Sequence, residues 1–420
     1  MKHALFVAYH YPPEASSSGV LRTLKYTKYL AEFGWRVTVI CPNIDAYNVV
    51  DHDLVAQIPE EVQILRTKYL NSKKHFSIRG YYTVLSAIPD QWIGWYPWAV
   101  GAGRRVMNTE KVDLVYSTSP YATAHLIASS LARKKNCPLV IDFRDPWYEV
   151  PPEPDTPRIR HWFARILEKR VIKQAKRVIT STRELRDSLA MRYSDQSSEK
   201  FIAVLNGYDE EDFTSLDDDS REEETQSDVL TIVHAGSINA NFRDPRPFLS
   251  ALRGCIEGHS LQPDQVMVRF IGPGKFAESR ELQLFLDSNN LRNYVEFVPR
   301  LPYKEALKSL HNADLLLLLQ ASEDTRSLVP AKLYEYLRIQ KPVLALVLTG
   351  AVSEILDETG GAWAVNPQDK EKVSEAIETI IHLWKQKQLS LHHVSLSALE
   401  KFDRRALTEQ LSGLFDSLVK

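Results

Sequence analysis

The chain has 420 residues, and its 52 Lys+Arg against 54 Asp+Glu give a net charge of −2. An apolar fraction of 44% and a charged fraction of 25% are ordinary for a globular protein, and the length predicts two domains rather than one. The balanced charge excludes a polycation that binds nucleic acid along its whole length, so no nucleic-acid partner is expected.

The cysteines and the apolar runs indicate the cellular compartment. Cys41, Cys137 and Cys255 are far apart and form no CxxC pair, which argues against a disulfide framework or a cysteine zinc site. No signal peptide is recognisable, and apolar runs such as Leu315–Leu319 are too short to span a bilayer. We therefore expect a cytoplasmic protein.

The charge is unevenly distributed along the chain. Residues 1–200 contain 29 Lys+Arg and 20 Asp+Glu, and the remainder contains 23 and 34, so the two parts carry about +9 and −11. A dense basic run comprises Arg158, Arg160, Arg165, Lys169, Arg170, Lys173, Lys176 and Arg177. Two interpretations stay open: a solvated helix face, or a surface that attracts anionic lipid headgroups or an anionic acceptor.

Short apolar runs alternate with helical patterns in the first half. The predicted strands are Ala4–Tyr9, Arg36–Cys41, Leu114–Ser117, Leu139–Phe143, Val178–Thr180 and Ile202–Leu205. The predicted helices are Gly19–Phe33, Tyr121–Lys134, Arg158–Ala175 and Arg183–Arg192. Buried strands that alternate with helices indicate βαβ units and a parallel sheet.

The alternation restarts after a polar, acidic stretch at 214–228 that has the composition of a linker. The predicted strands are then Leu230–His234, Val266–Ile271, Val295–Val298, Leu315–Leu319, Val343–Val347 and Ala362–Val365. The predicted helices are Pro247–Ile256, Phe276–Ser288, Tyr303–Asn312, Pro330–Arg338, Lys370–Lys385 and Arg404–Leu418.

This order predicts an α/β protein with two doubly wound domains. We place the domains at residues 1–213 and 229–400, and we expect the helix at 401–420 to pack back on the first domain. Such sheets bind ligands beyond the carboxyl ends of their strands, and two facing sheets would form an interdomain cleft.

Two motifs follow strands of the first domain. The sequence HYPPEASSSGVLR leads from the first strand into a helix, where Gly19 permits close backbone approach and Arg22 could face the same anion. The sequence DFRDPW places Asp142, Arg144 and Asp145 at the end of another strand. Charges there require pairing or a function, so a loop-locking ion pair and a site role both remain open.

The second domain carries two comparable motifs. HAGSI ends its first strand and contains Gly236 and Ser237, with Arg243 shortly after, so it is either a second anion-binding loop or a tight turn. In VPAKLYEYL, Pro330 suits the first helical turn, which would free the N–H groups of Ala331, Lys332 and Leu333 to hold a phosphate. Glu335, one turn further, could accept both hydroxyls of a ribose.

Together, HYPPEASSSGVLR, DFRDPW, NGYD, HAGSI and VPAKLYEYLRIQKPVLAL resemble glycosyltransferase family 4, the retaining nucleotide-sugar enzymes of the GT-B fold. Its bacterial members that build surface polysaccharides and lipid-linked glycans are the most similar. The resemblance implies that the second domain holds a UDP- or GDP-sugar, with Glu335 on the ribose and Gly236, Ser237, Arg243, Ala331, Lys332 and Leu333 around the diphosphate.

The resemblance also implies that Gly19 and Arg22 approach the phosphates and that the first domain binds a glycan or polyprenyl-linked acceptor. Catalytic roles would fall on Asp145, Arg144 and Asp142, with no cofactor and no metal. A peripheral association with the inner, anionic face of the cell membrane fits such an acceptor.

Two positions depart from the family pattern. Ser327 stands where the family often has a first glutamate, eight residues before Glu335, and Arg144 stands where many members have histidine. These departures leave two alternatives beside a transferase: a catalytically silent GT-B partner that binds nucleotide, and a nucleotide-sugar 2-epimerase.

Overall fold

The chain forms two compact units in a computed structural model that describes residues 1–17, 19–75, 87–148, 158–214, 228–394 and 396–419. Unit one comprises Met1–Asn206 with Arg404–Lys420, and unit two comprises Gly207–Asp403. Residues 207–213 group with unit two here, whereas the sequence analysis placed them in the first domain. Most of the predicted linker, 215–227, lies outside the described residues.

Unit one is built on a parallel sheet of seven strands. These are β1 Lys2–Ala8, β2 Trp35–Pro42, β3 Gln63–Thr67, β4 Leu114–Thr118, β5 Leu139–Phe143, β6 Arg177–Thr180 and β7 Phe201–Ala203, in the order β3-β2-β1-β4-β5-β6-β7. The helices are α1 Gly19–Leu30, α2 Ser72–His75, α3 Tyr96–Thr109, α4 Ala122–Lys135, α5 Arg158–Gln174 and α6 Arg183–Arg192.

Unit two repeats this plan with six parallel strands. They are β8 Leu230–Ala235, β9 Val266–Ile271, β10 Val295–Val298, β11 Leu315–Gln320, β12 Val343–Val347 and β13 Ala362–Val365, in the order β10-β9-β8-β11-β12-β13. The helices are α7 Arg246–His259, α8 Arg280–Ser288, α9 Tyr303–His311, α10 Lys332–Ile339, α11 Ala351–Thr359, α12 Lys370–Lys385 and α13 Leu396–Leu399.

These two sheets confirm the predicted α/β class with two doubly wound domains. The sequence analysis did not predict β3, which is a half-polar edge strand, or helices α3 and α11. Helix α3 contains glycines that lower helix propensity, yet one of them serves packing. A Cβ on Gly103 would lie 2.5 Å from Cδ1 of Leu131, so the glycine lets α3 approach α4 closely.

The last helix, α14 Arg404–Asp416, belongs to unit one. Its Phe415 is fully buried, with ring centroids 5.4 Å from Trp35 and 5.9 Å from Tyr116. The Asp416 carboxylate accepts hydrogen bonds from Trp35 Nε1 at 3.0 Å and from Lys2 Nζ at 2.8 Å. The chain end therefore completes the core beneath β1 and β2.

A buried ion pair joins α1 to β5 inside unit one. Arg22 donates from Nε and Nη2 to the Asp142 carboxylate at 2.9 and 3.0 Å. Its remaining N–H groups donate to the backbone oxygens of Val204 and Leu205 and to the side-chain oxygen of Asn206. All five guanidinium N–H groups of Arg22 are thus satisfied.

The same pair corrects two of the predicted site residues. Arg22 is 2% exposed and Asp142 is fully buried, and Asp142 also accepts from Tyr116 Oη at 2.6 Å and Thr118 Oγ1 at 3.1 Å. Burial alone would raise the pKa of Asp142, but the charge and hydrogen bonds of Arg22 outweigh it and hold that pKa below its usual value. Neither side chain can reach a ligand, so we assign both to positioning the strand end.

Among the described residues, none of the helices is both long and apolar enough to cross a membrane.

We predict that Arg22→Gln lowers the free energy of unfolding by about 3–5 kcal/mol, because it leaves the Asp142 carboxylate buried without its cation. Urea denaturation measures the loss. The control is Arg104→Gln, an exposed arginine of α3, which should change stability by no more than about 0.5 kcal/mol. Equal stability of the two variants would show that the buried pair is not required.

Candidate functional site

Three loops of unit two meet at the carboxyl edge of its sheet. They follow β8, β9 and β11, which lie next to one another around β8. The Gly236 N–H donates to the Ile271 carbonyl at 2.7 Å, and the Ile238 N–H donates to the Pro273 carbonyl at 2.9 Å. These bonds fix the loop after β8 to the end of β9, where doubly wound sheets bind ligands.

Lys332, the first residue of α10, points its ammonium group back at the end of β8. Its Nζ donates to the Ala235 carbonyl at 2.9 Å and lies 3.3 Å from Nε2 of His234. The other ring nitrogen of His234, Nδ1, is 2.8 Å from the Leu317 carbonyl. These partners assign the proton of the neutral imidazole to Nδ1, so that Nε2 accepts from Lys332.

The environment of this pair lowers the pKa of both groups. Burial lowers the pKa of His234 well below its usual value, and the charge of Lys332 adds to the effect. Burial also lowers the pKa of Lys332, assisted by the charge of Arg243 and opposed by Glu335. His234 is therefore a neutral support near pH 7, while the charge of Lys332 is held in an environment that disfavours it.

Gly236 shapes the backbone beside this ammonium group. Its φ of +115° lies in the region that favours glycine, and a Cβ at this position would lie 3.3 Å from Lys332 Nζ. A side chain would be strained by the backbone and would crowd the cation. The glycine therefore keeps the approach to Lys332 open.

Arg243, which lies in the loop after β8, is the second cation of this sheet edge. The Asn239 side-chain oxygen accepts from the N–H groups of Asn241 and Phe242, which forms a turn that places Arg243 behind Ser237. Arg243 Nη1 donates to Ser237 Oγ at 3.0 Å. Its Nε is buried and has no hydrogen-bond partner among the described residues, and burial lowers the pKa of the guanidinium. A donor in this state is suited to an anionic ligand.

Glu335 lies in the first turn of α10. Its carboxylate accepts from Tyr303 Oη, the first residue of α9, at 3.0 Å. The neighbouring Tyr336 is fully buried, and its Oη accepts from the Ala235 N–H at 2.8 Å. Tyr303 orients Glu335, while Tyr336 ties α10 to the same strand end that Lys332 touches.

The start of α10 corrects one detail of the sequence prediction. The helix begins at Lys332, with Ala331 as its N-cap, so Pro330 precedes it. The Leu333 N–H donates to the Pro330 carbonyl at 3.0 Å, and the Leu333 side chain is fully buried. Leu333 is therefore not available to bind a phosphate, because a tight turn at the helix start already uses its N–H group.

The carboxyl edge of the unit-one sheet carries a separate cluster. A Cβ on Gly19 would lie 1.7–2.0 Å from guanidinium atoms of Arg144, so only glycine leaves room for this side chain. The Arg144 backbone is held by Ser119 Oγ on its N–H and by Ser181 Oγ on its carbonyl, both at 2.7 Å. Arg144 Nη1 is buried and has no hydrogen-bond partner within the part of the chain that the structure describes.

Asp145 lies next to Arg144 and is half-buried. Burial lowers the pKa of Arg144, and the negative charge of Asp145 opposes that shift. Of the predicted site residues in unit one, Arg144 and Asp145 are partly exposed, and Gly19 is buried against the Arg144 guanidinium. Arg22 and Asp142 form the buried layer beneath.

A hollow of about 690 Å³ lies at the amino edge of the unit-one sheet, away from these clusters. Its charged lining is paired: Lys2 with Asp416, Arg36 with Glu110, and Lys111 with Asp113, at 2.6–2.9 Å. Those pairs leave no strong attraction for a charged ligand, so the size of this hollow does not make it the site.

Two residues of the unit-two cluster were not predicted from the sequence. His234 contacts Lys332, which is 98 positions further along the chain. Tyr303 donates to Glu335, which is 32 positions further along. His234 lies one residue before the end of β8, a strand whose other buried residues are apolar, and such a polar residue is a sign of a functional edge. Among the described residues, no group of three or more His, Cys, Asp or Glu side chains is placed to hold a metal ion.

Two family models match the chain in succession. Residues 19–202 match the Glycosyl transferase 4-like domain, and residues 230–382 match Glycosyl transferases group 1. Between them they include both clusters described above. Among curated proteins, none matches this sequence.

Solved structures share the fold over nearly the whole chain. HepE from Anabaena, in complex with UDP and glucose, is 16% identical over 99% of this chain and 100% of its own, with a TM-score of 0.66. Sucrose-phosphate synthase from Thermosynechococcus elongatus is 14% identical over 100% and 99%, with a TM-score of 0.62. A Listeria monocytogenes protein assigned as a UDP-N-acetylglucosamine 2-epimerase is 12% identical over 99% and 96%, with a TM-score of 0.58.

The two family models identify a glycosyltransferase, and the similarity to the solved structures identifies the fold. The solved structures share the fold of two α/β units with this chain over nearly its whole length. The chain therefore belongs to the glycosyltransferases of the GT-B fold.

Proposed function

We propose that the protein transfers a sugar from a nucleotide diphosphate sugar to a hydroxyl group of a glycan or polyprenyl-linked acceptor. The observation that carries this proposal is the pair of cations at the unit-two sheet edge: Arg243 with an unpartnered buried Nε, and Lys332 with a lowered pKa. Both gain when an anion binds, because it partners the free donor and stabilises the ammonium charge.

The diphosphate is the anion that this pocket fits. Gly236 opens the approach to Lys332, while Ser237 and Arg243 flank it. Ala331 is the N-cap of α10, so the positive end of the helix dipole lies beside the Lys332 backbone. In the transfer step the bond between the anomeric carbon and the diphosphate oxygen breaks, and negative charge accumulates on that oxygen. Fixed cations stabilise this leaving group, so no metal is needed in the mechanism we propose.

Glu335 is assigned to the ribose of the donor. A carboxylate can accept from two adjacent hydroxyl groups, and the hydrogen bond from Tyr303 holds it in place. UDP is present in the HepE structures, which supports a UDP-sugar donor, and the groups named here would also accept a GDP-sugar.

In unit one we assign Arg144 and Asp145 to the acceptor and the transferred sugar. Arg144 offers an unpartnered buried Nη1, and Gly19 provides the space that its guanidinium occupies. The acceptor oxygen would bond to the anomeric carbon on the face that the diphosphate leaves, and its proton would pass to a diphosphate oxygen. The anomeric configuration is then retained.

The resemblance to glycosyltransferase family 4 supports a cytoplasmic role in surface-polysaccharide synthesis, with peripheral association at an anionic membrane. The epimerase alternative remains distinguishable, because an epimerase converts its donor without an acceptor. A silent partner would bind nucleotide and release none.

We predict that Glu335→Ala raises the KM for a UDP-sugar about 10- to 100-fold. The substitution removes the charged carboxylate to which the ribose hydroxyls of the UDP-sugar would donate hydrogen bonds. Acceptor-dependent release of UDP measures the rate. Glu305→Ala is the control, since it removes an exposed glutamate of α9. An unchanged KM for Glu335→Ala would contradict the ribose assignment.

We also predict that UDP affinity depends on pH through Lys332. Its pKa is lowered in the free protein, and a bound diphosphate raises it, so the complex binds the proton more tightly. Affinity is therefore constant below the free-state pKa and falls by up to about tenfold per pH unit above it, until the pKa of the complex is reached.

Calorimetric titration of UDP between about pH 7 and pH 10 measures this dependence. In Lys332→Arg the guanidinium stays charged throughout, so the decline should disappear. A decline that persists unchanged in Lys332→Arg would assign the titration to another group.

A further inference from the structure

Helix α5 of unit one exposes a row of apolar side chains. Ile159, Trp162 and Ile166 are 47%, 57% and 44% exposed, whereas Glu168 and Val171 on the same helix are fully buried. Spacings of three and four residues place the exposed three within about 60° of one another around the helix, along about 10 Å of its length. Large apolar side chains in a row on an outer face mark an interaction surface.

The charges of α5 have a single sign on this outer face. Its one acidic residue is Glu168, which is buried and accepts from Tyr193 Oη at 2.6 Å and from Arg192 at 3.1 Å. The exposed basic residues that surround the apolar row are Arg158, Arg160, Arg165, Lys169 and Arg170. Lys173 is excluded from this set because it pairs with Asp195 at 3.2 Å.

The basic area continues onto the end of α4. Arg133 donates to Gln174, the last residue of α5, at 2.9 Å, and Lys134 and Lys135 are exposed beside it. An apolar row flanked by exposed basic side chains of the same helix is the composition of a helix that lies in the interface of an anionic membrane. Its aromatic member, Trp162, suits the headgroup level.

We propose that α5 docks unit one on an anionic lipid surface, with Ile159, Trp162 and Ile166 entering the headgroup region. The basic side chains would contact lipid phosphates, and this attraction does not require a specific headgroup. This inference deepens the proposed function, since it identifies the surface that would bring the enzyme to a lipid-linked acceptor. Binding to the membrane itself does not require transfer activity.

The test is co-sedimentation of the full chain with vesicles of phosphatidylcholine, with and without one third phosphatidylglycerol. We expect binding to the anionic vesicles that is at least about tenfold stronger than to neutral ones and that weakens with salt. Trp162→Glu/Ile166→Glu should reduce the anionic binding about tenfold or more. The control is Leu284→Glu/Leu391→Glu, which adds the same two charges at exposed leucines of unit two.

A second variant keeps the test independent of the apolar substitutions. Arg165→Gln/Lys169→Gln retains the apolar row and should also weaken anionic binding about tenfold at low salt. Equal binding to neutral and anionic vesicles would overturn the proposal, as would no binding to either. Wild-type binding by both double variants would overturn it too, and would point to another surface or a protein partner.

UDP affinity of the same variants separates the two proposals. It should be unchanged, because α5 contributes nothing to the unit-two cluster. Vesicle binding without acceptor-dependent UDP release in the wild type would contradict the transferase function and leave the docking surface standing. Acceptor-dependent UDP release without vesicle binding would support the transferase function and contradict the docking surface.

Discussion

The carboxyl edge of the unit-two sheet holds Lys332 close enough to Arg243 for the charge of the arginine to lower the pKa of the lysine. Burial lowers the pKa of both groups, and for Lys332 the nearby positive charge adds to that effect. The arrangement is stabilised by backbone and neutral partners, namely the Ala235 carbonyl and Nε2 of His234. Glu335, the one acidic contributor, lies a turn away and is bound by Tyr303. We propose that the diphosphate of a nucleotide-sugar donor is the anion that this pair of cations binds.

Unit one shows how the same residue type serves two purposes. Arg22 uses all five N–H groups inside the protein and keeps Asp142 ionised beneath the strand end. Arg144, two residues after Asp142, is fixed through its backbone and retains a buried Nη1 without a partner. The first arginine holds the strand end in place, and we propose that the second donates to a ligand. Gly19 lies on the same helix as Arg22 and has no side chain, and the Arg144 guanidinium occupies the space where a Cβ would be.

Much of the fold could be predicted because parallel strands buried on both faces are nearly continuous runs of Val, Ile and Leu. Strands such as β9 and β12 were predicted to the residue, while the half-polar edge strand β3 gives no such run. The site was predicted less completely. Sequence spacing could place Arg22 near a helix start. That residues 142 and 204–206 accept all of its guanidinium hydrogen bonds is visible only in the folded structure. The tight turn that uses the Leu333 N–H and the support of Lys332 by His234 are equally invisible without the fold.

A crystal structure of the protein with UDP tests the central claim most directly. The account predicts a diphosphate within hydrogen-bond distance of Arg243 Nε and Lys332 Nζ, beside Gly236, with the ribose hydroxyls on Glu335. UDP bound elsewhere, with Arg243 Nε still without a partner, would contradict the assignment of the unit-two sheet edge as the donor site.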